Sequence, residues 1–253
     1  MKKVQWAAGI ILSFSIIAIL LISSFEIAMY ADFGVYEKEY EKYDVLSDLD
    51  MEMDDVMYVT EEMMAYLRGN RETLSVVTTV EGREQDFFNE QDRFHMGEVR
   101  ELFIGGLNIR MGAAAVSLLC LVFLLASKAR LKKILARSYQ IALGVTGAAV
   151  LFIGIASAVD FNAVFVKFHH IFFDNDLWLF DPAEDYMIRM LPEGLFADMV
   201  LRIGILFVAG LVILLIASIV PGLLSRAKSK KSAPFGPLSQ SQNKGGTEGE
   251  QAD

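Results

Sequence analysis

One cysteine, Cys120, stands in 253 residues, so no intrachain disulfide can form and cysteine usage carries no information on redox compartment. It lies far from the N-terminus, which excludes a lipidation site of the lipoprotein-precursor kind. Several local catalytic templates are missing as well. There is no GxSxG elbow, no GxxxxGK[ST] loop, no GxGxxG turn and no HExxH pair, which removes local support for a serine triad, ATP use, a redox dinucleotide and a zincin site. Bases are in the minority, 23 Lys+Arg against 32 Asp+Glu for a formal −9. Nucleic acid is excluded as a partner, because phosphate neutralisation needs clustered Lys and Arg on one accessible face. No internal repeat is visible.

What the chain has in quantity is apolar surface: 54% of its residues are apolar, above the share of most water-soluble folds. Four runs carry it. Val4 to Phe25, Tyr139 to Ala158 and Ile203 to Leu224 hold no charge, and Phe103 to Ala126 is apolar apart from Asn108 and Arg110. Each is about 20 residues long, enough at about 1.5 Å per residue to cross a hydrocarbon layer of about 30 Å. The expectation is an all-α polytopic membrane protein of four transmembrane helices. The first run exceeds a secretory h-region and no small-x-small site follows it cleanly, so it reads as a retained signal-anchor.

Basic residues set the orientation. Lys2 and Lys3 precede the first run, Lys128, Arg130, Lys132, Lys133 and Arg137 fill the middle connection without an acid, and Arg226, Lys228, Lys230 and Lys231 follow the fourth run. Both termini and that loop are therefore expected in the cytoplasm. The two other connections face outward as an extracellular cap, with 21 Asp+Glu against 7 Lys+Arg over residues 26–103 and 8 against 3 over residues 159–202. The division is residues 1–28 (N-terminus and first helix), 29–102 (cap segment), 103–126 (second helix), 127–138 (basic loop), 139–158 (third helix), 159–202 (aromatic outer segment), 203–224 (fourth helix) and 225–253, a polar tail read as disordered.

Within the cap, Tyr36 to Leu67 carries apolar residues at three- and four-residue spacing among acids, an amphipathic helical pattern with room for one break. Arg68-Gly69-Asn70 is a helix stop, and Leu74 to Val80 has the β-branched density of a short extended segment. Phe87 to Ile104 returns to helical spacing and is expected to run into the second membrane helix. Seven of the twenty positions from Phe161 to Phe180 are Phe or Trp, against 11% aromatic residues overall, which suits either an interfacial belt or a lipid-binding cleft.

The three histidines, His95, His169 and His170, all fall in the outer segments near membrane boundaries. An isolated histidine most often packs or bonds structurally. Here Asp92 and Glu98 lie three residues either side of His95, where either carboxylate can orient the ring, and helical spacing puts Phe165, Phe172 and Phe173 on the face of His169. His170 has a more open setting. Rings from two distant segments converge only if the outer segments fold together over the bundle, and convergence makes a base and an acid in a partly dry site. Metal binding by the histidines with an acid such as Asp174 is the rival; adjacent histidines are not the i, i+4 pair by which a helix chelates zinc. The expectation is no metal and no cofactor.

The stretches FNEQDRFHMGEVR (Phe88 to Arg100), FHHIFFDNDLWLFDP (Phe168 to Pro182), MIRMLPEGLFADM (Met187 to Met199) and YLRG (Tyr66 to Gly69) resemble the lipoprotein intramolecular transacylases, Lit, of Gram-positive bacteria. The resemblance spans roughly residues 4–224. It implies a four-helix membrane enzyme that moves the sn-2 acyl chain of a diacylglyceryl lipoprotein onto the α-amine of its N-terminal cysteine, leaving a lyso-glyceryl lipoprotein. It also implies two catalytic histidines. They map onto His95 in HMxxV and onto His169 in FHxxFF, the doubled histidine leaving His170 as the alternative.

Phe94, Phe168, Phe172, Phe173, Trp178 and Arg189 are the candidate substrate-binding residues, the aromatics to pack glyceryl and acyl chains and exclude water. Arg189, Arg100, Asn108 and Arg110 are candidate oxyanion donors. The expected partners are diacylglyceryl lipoproteins and membrane lipid, with no obligate protein partner. The site is expected at the extracellular face of the cell membrane. A second class remains open, a non-enzymatic membrane sensor or assembly factor whose acidic cap binds a partner, and a third is a metal-dependent membrane hydrolase.

Overall fold

The computed structural model describes residues 2–231, with the side chains of residues 221–231 outside the description. Four long helices are apolar enough to cross a membrane: α1 (Lys2–Tyr30), α5 (Glu90–Ala126), α6 (Leu131–Val159) and α9 (Glu193–Lys231). The protein is an integral, multi-pass membrane protein. The membrane-crossing part of α5 is its apolar run from Phe103 onward, and the turns before it, Glu90 to Arg100, stand clear of that run. A tight turn with Lys128 at φ 48° joins α5 to α6, so Lys132, Lys133 and Arg137 stand on the first turns of α6 rather than in a loop. Ser225 to Lys231, the start of the stretch read as tail, continues α9; the remainder of that stretch lies outside the described residues.

α1 is the central helix, packed against α5, α6 and α9. Close approach depends on glycine at two places. A Cβ on Gly9 would stand 2.5 Å from Ile134 Cγ2 and 2.7 Å from Ser138 Oγ of α6, and one on Gly210 of α9 would stand 2.5 Å from a methyl of Leu20. Small residues at crossings let backbones meet where lipid provides no hydrophobic drive for association. Tyr139 adds a polar tie, its hydroxyl donating to the Leu211 carbonyl at 2.6 Å. The outward faces of α5, α6 and α9 expose Leu118, Leu119, Phe152 and Ile213, the surface a bilayer covers.

The remaining elements build a cap with its own core. The amphipathic stretch breaks twice, giving α2 (Gly34–Lys42), α3 (Val45–Leu49) and α4 (Met53–Leu67). The breaks coincide with Asp44 and Asp50 at φ 56° and 47°, left-handed positions that a short polar side chain tolerates. Tyr36 and Tyr40 of α2 are fully buried, their hydroxyls bonded to the Met29 carbonyl at 3.1 Å and to Thr60 Oγ1 at 2.5 Å.

Among the described residues the departure from an all-helical chain is one antiparallel hairpin, β1 (Val77–Val80) and β2 (Arg83–Asp86), pairing Val77 with Asp86 and Val80 with Arg83. Its two-residue turn needs positive φ at both positions, and Glu81 (50°) and Gly82 (70°) supply it. Val76 and Val80 bury against the cap helices with Phe87 and Phe88. Two short helices, α7 (Phe161–Phe172) and α8 (Tyr186–Met190), complete the fold.

Candidate active site

The start of α5 is fixed by a reciprocal cap: Asn89 Oδ1 accepts from the Asp92 N–H at 2.9 Å, and Asp92 Oδ2 accepts from the Asn89 N–H at 2.9 Å. One turn on, His95 faces inward and is 6% exposed. The second ring comes from α7. Asp160 ends α6 in extended backbone and caps α7, its Oδ1 accepting from the Ala163 N–H at 2.9 Å. This redirects the chain so that His169, on the last turn of α7, turns back over the bundle at 7% exposure.

The two imidazoles meet with centroids 5.8 Å apart and planes 28° from parallel. His169 Nδ1 lies 2.7 Å from the Phe165 carbonyl, which can only accept, so Nδ1 carries the proton and Nε2 keeps its lone pair. Phe173 touches both rings, at 4.9 Å from His95 and 5.5 Å from His169. Trp178 stacks on His169 at 4.6 Å, Phe165 lies at 4.1 Å from it, and Phe180 meets His95 edge-on at 5.5 Å. His170 is exposed and meets the Trp178 ring in a T-shaped contact at 5.2 Å.

The connection after α7 closes this enclosure and is pinned to α5. Gln91 Nε2 donates to the Leu177 and Leu179 carbonyls, both at 3.1 Å, and Asn175 Nδ2 donates to Glu98 Oε1 at 2.8 Å. Asn89 reaches Asp185 at the far end. Glu98 thereby presents Oε2 to His95 Nδ1 at 3.9 Å, within ion-pair range but beyond a hydrogen bond. Four of the eight buried side-chain polar atoms without a hydrogen-bond partner among the described residues gather here: Asp92 Oδ1, His95 Nδ1, Glu98 Oε2 and Trp178 Nε1. Unpaired polar atoms are rare in folded interiors, and half of those found among the described residues lie around this pair of rings.

Burial governs the ionisation. It pushes His95 down to about 4, with His169 beside it adding to the effect. His169 is lowered for the same first reason, partly offset by its bond to the Phe165 carbonyl. Asp92 is raised to about 6 by burial against the opposing pull of the Asn89 N–H. Both imidazoles are neutral near pH 7.

Of the other candidates, Phe173 and Trp178 are buried against the rings. Phe168 meets His169 edge-on at 5.6 Å and packs at a tilt against Phe172, centroids 4.6 Å apart, and both keep an exposed outer side. Phe94 is 52% exposed and points away from the pair, one residue being enough to turn a helical side chain to another face. Arg189 is not brought to the histidines. Its Nε binds Asp48 Oδ2 at 3.0 Å and its Nη1 binds Glu81 Oε1 at 2.7 Å, clamping α8 to α3 and to the hairpin turn. Arg110 is engaged by Glu26, Arg100 lies over Tyr66, and Asn108 is exposed on α5. Sequence reasoning did not single out Phe180, Gln91 or Asn175. Phe180 sat within the aromatic run, whereas nothing local distinguishes an amide that bridges two distant segments. Among the described residues no three His, Cys, Asp or Glu side chains come together as a metal-ligand set.

The class defined here is a four-span membrane protein with two neutral imidazoles sealed by aromatics at one end of its bundle. Residues 10–196 match the family described as lipoprotein intramolecular transacylase Lit, and the chain belongs to that family; it is an acyltransferase enzyme. The fold is similar to that of the membrane integral lipoprotein intramolecular transacylase Lit from Bacillus cereus, at 19% identity over 90% of this chain and 100% of that one, TM-score 0.72. Structures of that protein with a histidine replaced by alanine (18%, 92% and 97%, TM-score 0.65) and by arginine (18%, 90% and 96%, TM-score 0.67) are also similar. No curated relative matches the chain.

Proposed function

We propose that this transacylase moves the sn-2 acyl chain of a diacylglyceryl lipoprotein to the α-amine of its own N-terminal cysteine, with His95 and His169 as the acid–base pair, at the extracellular face. The observation that carries the reading is the pair itself: two neutral imidazoles 5.8 Å apart, enclosed by Phe165, Phe173, Trp178 and Phe180.

The chemistry asks for such a pair. An α-amine has a pKa near 8, so it must shed a proton before its nitrogen attacks the ester carbonyl, and the glyceryl oxygen must gain one as the carbon–oxygen bond breaks. A neutral imidazole takes the first proton. The same ring, or its neighbour, returns one to the leaving oxygen, and a strongly depressed pKa makes the imidazolium a good acid.

Nitrogen, Cα, Cβ, sulfur, two glyceryl carbons, ester oxygen and carbonyl carbon close an eight-membered ring in the tetrahedral intermediate. A floppy lipid closes such a ring reluctantly, so holding amine and carbonyl within about 3–3.5 Å lowers the barrier by several kcal/mol. Flat aromatic walls suit that task and exclude the water that would otherwise hydrolyse the ester. A cleft of about 250 Å³ lined by Asn162, Phe165, Ile188, Pro192, Glu193 and Phe196 backs onto the other side of Phe165 and offers apolar room for a chain. The Trp178 indole N–H, buried, unpaired and stacked on His169, is a donor available to a developing oxyanion.

The orientation rests on the bases at one end of the bundle, Lys2, Lys3, Lys132, Lys133 and Arg137, and on the acids of the cap at the other. Conversion of a diacylglyceryl lipopeptide by His95→Ala and His169→Ala tests the proposal. Loss of N-acyl product in both, with the fold retained, is expected. Undiminished conversion in both would remove the acid–base assignment.

A further inference from the structure

The Tyr66–Gly69 element takes no part in the histidine site, yet it organises a second polar cluster further along α5. α4 ends at Leu67, and two residues on Gly69 takes the left-handed position at φ +83°, with the Asn70 N–H closing back on the Ala65 carbonyl at 2.9 Å. That stop sets Arg68 over the Tyr30 ring at 4.8 Å, with Nη2 3.2 Å from Glu26 Oε1 on α1. Glu26 Oε2 is taken by Arg110 of α5. Arg100, also on α5, lies over the Tyr66 ring at 4.9 Å, and a Cβ on Gly69 would stand 3.9 Å from its Nη2. Arg68 and Arg100 therefore flank one glycine. Arg100 forms no ion pair among the described residues, and its Nε is buried without a hydrogen-bond partner. The nearby Glu62 is held by Arg71.

Arg68 and Arg110 thus share the Glu26 carboxylate, and the part-buried Arg100 is left without an acid partner among the described residues at an apolar boundary, where an uncompensated charge is costly. Depth along α5 says what can compensate it. Arg110 lies past the start of the apolar run at Phe103, by about 10 Å at 1.5 Å per residue, so its pair with Glu26 belongs to the edge of the hydrocarbon. Arg100 precedes Phe103 and stands at headgroup level. Ile27, next to Glu26, and Met111, eleven residues on from Arg100 and so on the same face of α5, are exposed and apolar, a surface that takes acyl chains and that a soluble anion would not cover. A guanidinium fork matches phosphate oxygens two at a time, and the Tyr66 ring presets the plane of the Arg100 fork.

We propose that Arg68 and Arg100, flanking Gly69 with Arg110 beneath, form a binding site for the headgroup phosphate of an anionic glycerophospholipid, whose chains lie against Ile27 and Met111. The site is separate from the acyl-transfer chemistry and does not depend on it. Its lipid is held, not consumed.

The test is native mass spectrometry of the full chain, delipidated in detergent and titrated with phosphatidylglycerol or, in parallel, phosphatidylcholine. Wild type is expected to retain phosphatidylglycerol preferentially, and Arg100→Gln and Arg68→Gln to weaken that retention about tenfold or more each, the loss expected for a charge-assisted hydrogen bond. Equal retention of the two lipids, or equal retention by wild type and both variants, overturns the proposal. So does displacement of the lipid by millimolar inorganic phosphate, which would assign the site to a free anion. Should the variants not fold, a photo-crosslinking phosphatidylglycerol on the wild-type chain decides the matter. Adducts on residues 66–70 and 100–111 support the site, and adducts confined elsewhere refute it.

Discussion

Replacing His169 and His170 one at a time separates chemistry from packing, because the two rings are neighbours in sequence with opposite surroundings. His169 is buried, locked through Nδ1 to the Phe165 carbonyl and 5.8 Å from His95; His170 is exposed with one edge contact to Trp178. If His169 transfers a proton, His169→Ala forfeits about 10²- to 10⁴-fold in turnover. His170→Ala has no such step to lose and should change turnover less than about threefold. Packing is a second, distinguishable effect. The His169 ring contacts Phe165, Phe173 and Trp178, so its removal is expected to cost roughly 2–3 kcal/mol, a lowering of the melting temperature by several degrees. A melting curve in detergent reads that apart from activity. The assay needs care, since a lyso N-acyl product is an isomer of its diacyl substrate and intact mass is blind to the reaction. Fragment ions carrying the acyl group on the N-terminal cysteine, or loss of the labelled free amine, report it. An inactive His170→Ala beside an active His169→Ala would refute the assignment, as would wild-type turnover in both.

Because His95 and His169 are both neutral near pH 7, kcat/KM is expected to climb with the substrate amine toward about pH 8, and a limb at about 6.5 would reveal an imidazole of ordinary pKa instead. His95 binds its proton at about 4 when folded and at 6.5 when free, so by itself it favours the unfolded chain as pH falls between those values, by at most about 3 kcal/mol. Asp92, raised from 3.8 to about 6, contributes the opposite sign over nearly the same range, so the His95 part is read as the difference between wild type and His95→Gln in chemical denaturation across pH 4–7. Phe173→Ala opens the wall that touches both imidazoles, and released fatty acid should rise relative to N-acyl product; an unchanged ratio would show that Phe173 does not exclude water. Gly194→Ala would place a Cβ 2.3 Å from the Tyr43 ring, which must swing away from its 2.7 Å bond to Asp198, costing about 1–3 kcal/mol in thermal stability.

The membrane helices were legible because hydropathy and helical period are local properties, and the same locality carried the reading of Phe87 to Ile104 into the second span. The cap was less legible. Its single amphipathic pattern became α2, α3 and α4 because Asp44 and Asp50 take left-handed conformations, a choice that neither spacing nor polarity announces. Of the candidate site, His95 could be named from its flanking acids and His169 from the aromatic run around it, whereas Phe180, which meets His95 edge-on, could not. Arg189 could not be placed, since its partners Asp48 and Glu81 lie more than a hundred residues away and only the fold brings them together. Phe94 fell to a simpler cause: it neighbours His95 in sequence, and neighbours on a helix face different ways.

Charge accounting links the enclosure to the proposed reaction. An ammonium and an ester become an amide and an alcohol, and one proton is left over, so each turnover below pH 8 releases one proton to solvent. A site that begins and ends with two neutral imidazoles needs no stored charge. It therefore tolerates the buried setting that would heavily penalise a resting imidazolium. In the proposed reaction Glu98 Oε2, 3.9 Å from His95 Nδ1, is the carboxylate placed to support a transient cation there, and Asn175 holds its other oxygen. That amide belongs to the same connection that carries Trp178, and Gln91, a turn before His95, holds its backbone. The helix that supplies one imidazole thus also fastens the cover over both. Loosening the cover is then expected to raise solvation of the rings and water access together: Asn175→Ala should bring the imidazole back toward its ordinary pKa, adding a limb near about 6.5 below that of the amine, and divert acyl groups to hydrolysis in the same variant, whereas a change in one without the other would separate the two roles.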